Sequence, residues 1–230
     1  MEAIILAGGL GTRLRPAVPA VPKPMAPVNG RPFLEYQMEY WIGQGVRRFV
    51  LAVGHRHEII ERHFGVEWRG AAIAYTVESE PLGTGGGLLL AVGEMRAPGP
   101  WLVLNGDTFF EVGLPPLAAF HRENQSEITL SLFPIGDNTR YTGVEMDREH
   151  RITKLKSDAG EQFINGGVYL FGETALAGLP HRAGERVSLE EDILGGALQA
   201  GRRVYGHVSG GKFIDIGVPE DYARAQRLLG

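Results

Sequence analysis

The sequence predicts an α/β fold with a mixed, mostly parallel central sheet flanked by helices. Short apolar runs recur along the 230-residue chain, and segments with helical patterning lie between them in the first half. Strands that alternate with helices are typical of βαβ units, so this half resembles a Rossmann-like core. From Ile128 onward the apolar runs come closer together, with turn signals at 136–138 and 158–160. We therefore expect an antiparallel or mixed addition to the parallel sheet.

The individual elements follow from the same patterns. AIILA is a short, wholly apolar run, which is typical of a strand buried on both faces. Helices are predicted over 33–44 and 57–64, where apolar residues recur at helical spacing. The predicted strands are, in chain order, 3–7, 47–54, 72–78, 101–107, 128–135, 166–171 and 204–208.

The composition is that of an ordinary globular protein. A hydrophobic content of 43% is enough to bury a sizeable core, and we expect one domain spanning 1–230. No linker rich in Ser, Gly or charge divides the chain, and no 20–50-residue repeat is apparent. The net charge of −4 gives no reason to expect nucleic acid or an anionic membrane as partner.

Cysteine usage and the N-terminus predict a cytoplasmic protein. The chain has no Cys, which excludes disulfides and thiolate metal sites and agrees with a reducing compartment. Glu2 and an apolar run of about five residues do not fit a signal peptide, and no apolar span of about 20 residues occurs. Whether the chain forms a homo-oligomer stays open.

The stretch GLGTRLRPAVPAVPKPM follows the first predicted strand directly. Its Gly and Pro residues interrupt regular structure, so a long loop is expected, and such a loop in an α/β protein commonly binds phosphates. The glycines expose backbone N–H groups, Arg13 offers a fork of donors, and Lys23 is expected to be a mobile point charge. The third glycine of a dinucleotide fingerprint is replaced by Leu14, and no Walker A motif occurs.

The whole string LAGGLGTRLRP-x₆-PKPM resembles the signature of the sugar-phosphate nucleotidyltransferases. GVRRFVLAVGHRHEIIERHFG, ESEPLGTGG, VLNGDTFFEV, FINGGVYLF and FIDIGVPEDYARAQ are also similar to family segments, in the same order. The resemblance implies a Rossmann-like nucleotidyltransferase fold and an enzyme that joins an NTP to a sugar 1-phosphate and releases pyrophosphate. PKPMAPVNGRPFLEY, LNGDTFF and IDIGVPEDY are most similar to the branch that uses GTP and a heptose 1-phosphate.

Three alternative functions compete with this interpretation. A uridylyltransferase acting on an amino-sugar 1-phosphate belongs to the same family. An inactive nucleotide or sugar-phosphate sensor would keep the fold and lose phosphate or metal ligands, whereas Arg13, Lys23, Asp107 and Asp215 are all present. A dinucleotide oxidoreductase would need the missing glycine and a ribose-binding acid after the second strand, and VLAVGHRHE offers no clear one.

The resemblance implies a Mg²⁺ site at Asp107 and Asp215. Asp107 closes WLVLNGD and Asp215 lies in FIDIG, and a lone Asp after a strand is otherwise usually a turn or cap residue. Arg13 and Lys23 join them in the implied catalytic set by stabilising phosphate charge. The sugar phosphate is already ionised at neutral pH, so no general base is expected.

The resemblance also implies a nucleotide site. Glu78 would contact the base edge, where a carboxylate can accept from the N1–H and N2–H₂ donors of guanine, and the Gly83 backbone would lie close to the base. ESEPLGTGGG is equally typical of a helix start with Thr84 as its cap. The implied nucleotide-binding residues are Leu6, Ala7, Gly8, Gly9, Gly11, Thr12, Arg13, Glu78, Gly83, Thr84, Asn105 and Gly106.

The sugar phosphate is expected in the second part of the domain, about 126–230, with the nucleotide in about 1–125. The resemblance implies contacts from Lys23, Asn165 and Gly166, although Asn-Gly-Gly is also an ordinary bulge signal.

The chain departs from the family pattern near this site. Ser157 and Asp158 stand where many members have a Glu-Lys pair, and Lys156 or Glu161 could substitute. The usual Tyr-Gly is replaced by Tyr141-Thr142-Gly143.

The seven histidines are not expected to bind metal. His55, His57 and His63 lie on or next to an amphipathic helix without a matching carboxylate motif, which favours a solvated surface. No HExxH motif occurs, and neither a G-x-S-x-G motif nor a thiol nucleophile is present.

Overall fold

The computed structural model describes residues 1–9, 11–14, 16–135, 143–157 and 162–230, with Ser157 described by its backbone alone. The strands are β1 Glu2–Leu6, β2 Pro27–Val28, β3 Arg31–Pro32, β4 Arg48–Val53, β5 Glu67–Trp68, β6 Ala71–Val77, β7 Trp101–Asn105, β8 Thr108–Phe110, β9 Ile128–Pro134, β10 Gly143–Met146, β11 Ile152–Ser157, β12 Phe163–Phe171, β13 Val204–Val208 and β14 Phe213–Asp215. The helices are α1 Phe33–Gly43, α2 His57–Phe64, α3 Gly83–Val92, α4 Leu114–Glu123, α5 Gly195–Gln199 and α6 Pro219–Leu228. A 3₁₀-helix spans Lys23–Met25 and a π-helix spans Leu189–Leu194.

Ten of the described strands form one mixed sheet with a parallel centre. Strands β7, β1, β4 and β6 are adjacent and parallel, and β5 closes that edge in the antiparallel sense. On the other side, β12 pairs antiparallel with β7 and connects it to β9 and β10. β13 adds parallel to β9, and β11 adds antiparallel to β10. The predicted mixed sheet is confirmed, and all seven predicted strands are present.

The inner strands of the parallel centre, β7, β1 and β4, are buried on both faces, which explains why nearly all of their residues are apolar. Ile4 and Ile5 are both fully buried, and they point to opposite faces of β1. Ile5 packs in the core that contains Met38 and Trp41 of α1, whereas Ile4 packs in the core that contains Leu88 of α3. Burying one such side chain stabilises the fold by about 1.5–3 kcal/mol.

A third, smaller core lies beneath the Gly- and Pro-rich loop. Leu14 is 2% exposed and packs in a cluster with Phe109 and Ile214. Helix α6 completes this region, because Tyr222 Oη donates a hydrogen bond to Pro27 O at 2.5 Å. The segment that carries Lys23 is therefore fixed between α6 and the body of the fold.

Two features of this region differ from the sequence-based expectations. β7 ends at Asn105, so Asp107 lies in the turn between β7 and β8, and Asp215 ends a strand outside the main sheet. The residues Lys23–Met25 form a 3₁₀-helix within the predicted loop.

The turn signals at 136–138 and 158–160 lie outside the described residues. Within the described ranges, no helix is long and apolar enough to cross a membrane.

Candidate active site

A two-stranded ribbon brings Asp107 and Asp215 together. β8 and β14 pair antiparallel with Asp215 opposite Thr108, the residue that follows Asp107. Ile216 N donates to Asp107 O at 3.0 Å, which continues the ribbon by one hydrogen bond. The two carboxylates, far apart in sequence, therefore occupy one place next to the carboxyl end of β7.

Lys23 occupies the space between these two carboxylates. Its Nζ is ion-paired with Asp107 Oδ2 and lies 3.8 Å from Asp215 Oδ1, and its side chain is only 11% exposed. In this structure two close carboxylates in a partly buried place hold the ammonium between them. The site is a compact arrangement of one cation and two anions.

The oxygen donors of this pair fit a hard divalent cation. Both carboxylates approach one positive group, and Asp215 Oδ1 also accepts from Gly217 N at 2.6 Å, which orients it. Carboxylate oxygens are the ligands that Mg²⁺ prefers, together with phosphate and water. Among the described residues, no group of three or more His, Cys, Asp or Glu could hold a metal ion. Asp107 and Asp215 would therefore share a cation with ligands from outside the protein.

The loop after β1 leaves its donors accessible. Gly11 has φ +59°, and an added Cβ there would lie 3.1 Å from Lys23 Cβ, so the backbone passes close to the lysine. Gly9 has open space around it, and Thr12 and Arg13 are exposed. No hydrogen bond or ion pair joins the Arg13 guanidinium to another described residue. Arg13 is thus on the correct loop, but the structure shows no contact between it and Lys23.

The expected nucleotide residues at the ends of β1 and β7 lie together. Gly106 N donates to Leu6 O at 3.0 Å, and Ala7 N donates to Ala52 O at 2.7 Å. An added Cβ on Gly106 would lie 2.7 Å from Leu6 O, so this position requires glycine for the close approach of the two strand ends. Asn105 Oδ1 is buried and has no hydrogen-bond partner among the described residues.

Glu78 lies beside the loop glycines. Its Oε2 accepts from Leu82 N at 3.0 Å, and its Oε1 would lie 2.5 Å from an added Cβ on Gly8. Burial raises the pKa of the Glu78 carboxyl above its usual range. A cavity of about 490 Å³ adjoins it, lined by Gly8, Gly54, His55, Arg56, His57, Glu58, Val77, Glu78, Ser79, Glu80 and Pro81.

The glycines that begin α3 pack against the segment before the π-helix. Val187 O accepts from Gly85 N at 2.9 Å and from Gly86 N at 3.1 Å, and an added Cβ on Gly83 would lie 2.6 Å from the same oxygen. Side chains larger than hydrogen would separate these two backbones. The glycine run is therefore required for the packing of α3 against Val187.

Thr84 does not cap α3, because the helix begins at Gly83 and Thr84 lies inside it. Its hydroxyl instead accepts from Leu189 N at 3.0 Å and lies 3.4 Å from Glu190 Oε2. Glu190 is a partly buried carboxylate beside an expected nucleotide residue, and sequence reasoning missed it. The only available signal was the run SLEED, in which Ser188 Oγ accepts from Glu191 N and starts the π-helix.

The Asn-Gly-Gly sequence forms a bulge in β12. Asn165 Nδ2 donates to Tyr169 Oη at 2.7 Å, and Asn165 Oδ1 accepts from Gly167 N at 3.1 Å. The pairing of β12 with β9 shifts register between Asn165 and Tyr169. An added Cβ on Gly166 would lie 2.4 Å from Phe110 Cδ1, so Gly166 packs directly on β8. Both polar ends of the Asn165 amide are therefore engaged within the protein.

Tyr169 connects this bulge electrostatically to the aspartate site. Burial raises the pKa of its phenol far above the usual range, and the carboxylates of Glu190 and Asp107 act in the same direction. Glu190 and Asp107 thus both lie within electrostatic reach of the Tyr169 phenol. Sequence reasoning did not single out Tyr169, because an aromatic residue in an apolar strand carries no separate signal.

The positions that depart from the family pattern are only partly described. Tyr141, Thr142, Asp158 and Glu161 lie outside the described residues. Lys156 Nζ donates to Glu191 Oε1 at 2.6 Å, and both side chains are more than half exposed. Lys156 is thus held at the surface beside the π-helix.

His55 and His63 are exposed and His57 is partly exposed, as predicted, whereas His121 is buried. His57 Nδ1 lies 3.0 Å from Glu61 Oε1, and His63 Nε2 lies 2.7 Å from Glu35 Oε1. These are two separate pairs with different partners, so they do not converge on a common metal position.

Comparisons with known proteins were consistent with this geometry. A family model described as nucleotidyl transferase matches residues 2–230. The chain is 39% identical to D-glycero-alpha-D-manno-heptose 1-phosphate guanylyltransferase of Aneurinibacillus thermoaerophilus, covering 100% of this chain and 98% of that protein. It is also 39% identical to the Campylobacter jejuni protein of the same name, covering 96% and 97%. The crystal structure of HddC from Yersinia pseudotuberculosis complexed with GMP-PN is 30% identical, with a TM-score of 0.84 and coverage of 100% and 99%.

Proposed function

Because this chain belongs to the nucleotidyl transferase family, we propose that it transfers GMP from GTP to a heptose 1-phosphate. The products would be a GDP-heptose and pyrophosphate. The observation that carries the proposal is the Lys23 ammonium between Asp107 and Asp215 at the carboxyl end of the parallel strands. This edge is where open α/β sheets bind their ligands. The full-length similarity to two heptose 1-phosphate guanylyltransferases supports the choice of substrates.

The reaction is a displacement at phosphorus. A phosphate oxygen of the sugar 1-phosphate attacks the α-phosphorus of GTP, the bond from that phosphorus to the β-bridging oxygen breaks, and its electron pair leaves with pyrophosphate. Because the attacking oxygen is already ionised, catalysis depends on alignment and on stabilising negative charge. Lys23 and Arg13 supply positive charge, and the N–H groups of Gly9 and Gly11 are available to the phosphates.

Asp107 and Asp215 would hold Mg²⁺ in the working enzyme. When bound, a divalent cation neutralises charge on phosphate oxygens and orients them for displacement. With a cation held by the two carboxylates, the Lys23 ammonium would be able to turn from Asp107 towards the phosphates. Lys23 therefore has two arrangements in this proposal, one paired with carboxylates and one paired with substrate.

Glu78 would select guanine. Its Oε2 already accepts from Leu82 N, so the carboxylate is held in place beside the cavity of about 490 Å³. A carboxylate can accept from guanine N1–H and N2–H₂, whereas uracil presents a single N–H between two carbonyl oxygens. A mismatched polar pair in a closed site costs about 1–3 kcal/mol, or about 5- to 150-fold in selectivity. We expect wild-type protein to prefer GTP over UTP and Glu78→Gln to shift towards UTP.

The sugar phosphate would lie on the β12 side of the site, in the part of the single domain that spans about 126–230. Gly166 and the bulge place backbone beside β8 and hence near Asp107. Asn165 keeps a second Nδ2 hydrogen and a second Oδ1 lone pair that could reach a sugar hydroxyl, and Asn165→Ala tests that role. We also propose a cytoplasmic location, where GTP is available, and cell fractionation tests it.

One experiment tests the function as a whole. Purified protein is incubated with Mg²⁺, each NTP in turn and a panel of sugar 1-phosphates, and pyrophosphate release is measured. We expect the highest kcat/KM for GTP with a heptose 1-phosphate. A preference for UTP with an amino-sugar 1-phosphate would overturn the guanylyl assignment, and binding without any release would indicate a sensor.

A further inference from the structure

Arg56 has an unusual backbone conformation at the junction of β4 and α2. Its φ of 61° and ψ of 31° lie in the left-handed region, which residues other than glycine rarely adopt. It precedes α2, and its side chain makes no cap hydrogen bond to that helix. The guanidinium forms its hydrogen bond outside α2.

The Arg56 side chain bonds to the Gly- and Pro-rich loop. Its Nη1 donates to Pro19 O at 2.9 Å. The other hydrogen bonds of the loop join near neighbours, such as Val18 N to Leu14 O at 3.1 Å. Pro16, Pro19 and Pro22 have no N–H to donate. Among the described residues, the Arg56 bond is the one hydrogen bond that joins segment 16–22 to a distant part of the fold, and Val18 and Val21 join it only by apolar packing.

Arg56 also lies between the two regions that the proposed nucleotide would occupy. On one side it lines a narrow cleft with Gly9, Gly11, Pro19 and Lys23. On the other side it lines the larger cavity beside Gly8 and Glu78. The bond to Pro19 therefore closes the loop at the boundary between the expected phosphate and base positions.

We propose that Arg56 is a positioning residue that latches the loop in the conformation that binds the triphosphate. This inference rests on the proposed function, since it takes the loop to be the phosphate site. The latch fixes the far end of the loop, and the buried Leu14 fixes the near end. Arg13 comes directly before Leu14, and the chain leads from Pro19 into Lys23. Without this hydrogen bond, Arg13, Lys23 and the backbone N–H groups of the loop would no longer be held in the positions that fit the phosphates.

The test uses three substitutions of Arg56 and one control substitution in helix α2, which follows Arg56. Arg56→Gly removes the side chain and also fits the left-handed backbone, so the fold is retained. Arg56→Ala removes the same donor without that backbone relief. Arg56→Lys retains a donor and a positive charge. Arg62→Ala removes an exposed arginine from α2 and serves as the matched control.

Two readouts are measured on each full-length protein. The first is the rate of tryptic cleavage at the Arg13–Leu14 bond, followed by mass spectrometry. Lys23 precedes Pro24, a poor trypsin site, and Leu14 is 2% exposed, so cleavage after Arg13 requires the loop to lift. The second is KM and kcat for GTP.

We expect Arg56→Gly and Arg56→Ala to be cleaved about 5-fold faster than Arg62→Ala, because the loop opens more often. Their kcat/KM for GTP should fall by about 10-fold, with partial recovery in Arg56→Lys. Cleavage of Arg56→Gly at the control rate would overturn the proposal, whether KM is unchanged or raised. If no NTP is turned over by wild-type protein, the proposed function fails, and the cleavage rates still decide whether Arg56 latches the loop.

Discussion

Replacing Lys23 with Met removes the cation at the centre of the site while keeping a side chain of similar length. At 3.8 Å and an effective dielectric constant near 20, the attraction between Lys23 Nζ and Asp215 Oδ1 is about 4 kcal/mol before desolvation. Releasing the buried ammonium from its desolvation cost offsets part of that loss, and Asp107 is 35% exposed, so water screens its charge. The expected net loss of unfolding free energy in metal-free protein is about 2 kcal/mol.

Divalent metal should reverse part of this loss. Without Lys23, the two carboxylates repel each other and offer an uncontested position for a cation. Added Mg²⁺ therefore stabilises Lys23→Met more than wild type, in which the ammonium competes for the same oxygens. Catalysis does not recover in the same way, because the charge that Lys23 supplies in the transition state is lost. We expect kcat/KM to fall by about 10²-fold or more.

The assay combines urea denaturation, with EDTA or with Mg²⁺, and steady-state pyrophosphate release. Lys154→Met is the matched control, because Lys154 is more than half exposed and lies 3.6 Å from Glu145. The control should unfold and turn over like wild type. If Lys23→Met unfolds at the wild-type urea concentration in EDTA and keeps its kcat/KM, the reasoning about the central ion pair is refuted.

Three further predictions concern stability and metal dependence. Burial lowers the pKa of His121 to about 4, so between pH 6.5 and 4 the unfolded protein binds about one more proton than the folded protein. The free energy of unfolding should therefore fall by about 3 kcal/mol as the pH falls through this range. His121→Gln should flatten this part of the urea-denaturation profile, and equal slopes would contradict it. Gly166→Ala places a Cβ against Phe110 and should cost about 1–3 kcal/mol, whereas Gly196→Ala in α5, with open space around it, should be neutral or stabilising in the same assay. EDTA should abolish turnover, and added Mg²⁺ should restore it. The Asp215→Asn variant should have a kcat about 10²-fold lower than wild type. Full activity in EDTA would show that turnover does not depend on a metal.

The inner strands of the parallel centre could be predicted because burial on both faces leaves nearly all of their residues apolar. The run AIILA and the strand β1 differ by one residue at each end, and RRFVLAVG contains all of β4. The helix predicted over 57–64 has the bounds of α2. In these segments local pattern and tertiary environment agree, so the sequence is sufficient.

The ribbon that builds the site could not be predicted in the same way. β8 and β14 have three residues each, and their partners are distant in sequence, so neither carries a periodic signal of its own. The two carboxylates that pair with Lys23 come together only through that ribbon. The sequence around Lys23 therefore gives no sign of these ion pairs. Thr84 is a residue type that commonly caps a helix, but α3 starts one residue earlier. The Thr84 hydroxyl accepts a hydrogen bond from Leu189 N instead. These features depend on tertiary contacts that no local motif encodes.

The most direct test of the central claim is a ³¹P NMR time course of wild-type protein with GTP, Mg²⁺ and D-glycero-α-D-manno-heptose 1-phosphate. The account predicts that signals of a GDP-heptose and of pyrophosphate grow in equal amounts as those of GTP and the sugar phosphate decline, because only the bond between the α-phosphorus and the β-bridging oxygen breaks. Constant signals, or GTP loss without consumption of the sugar phosphate, would contradict it.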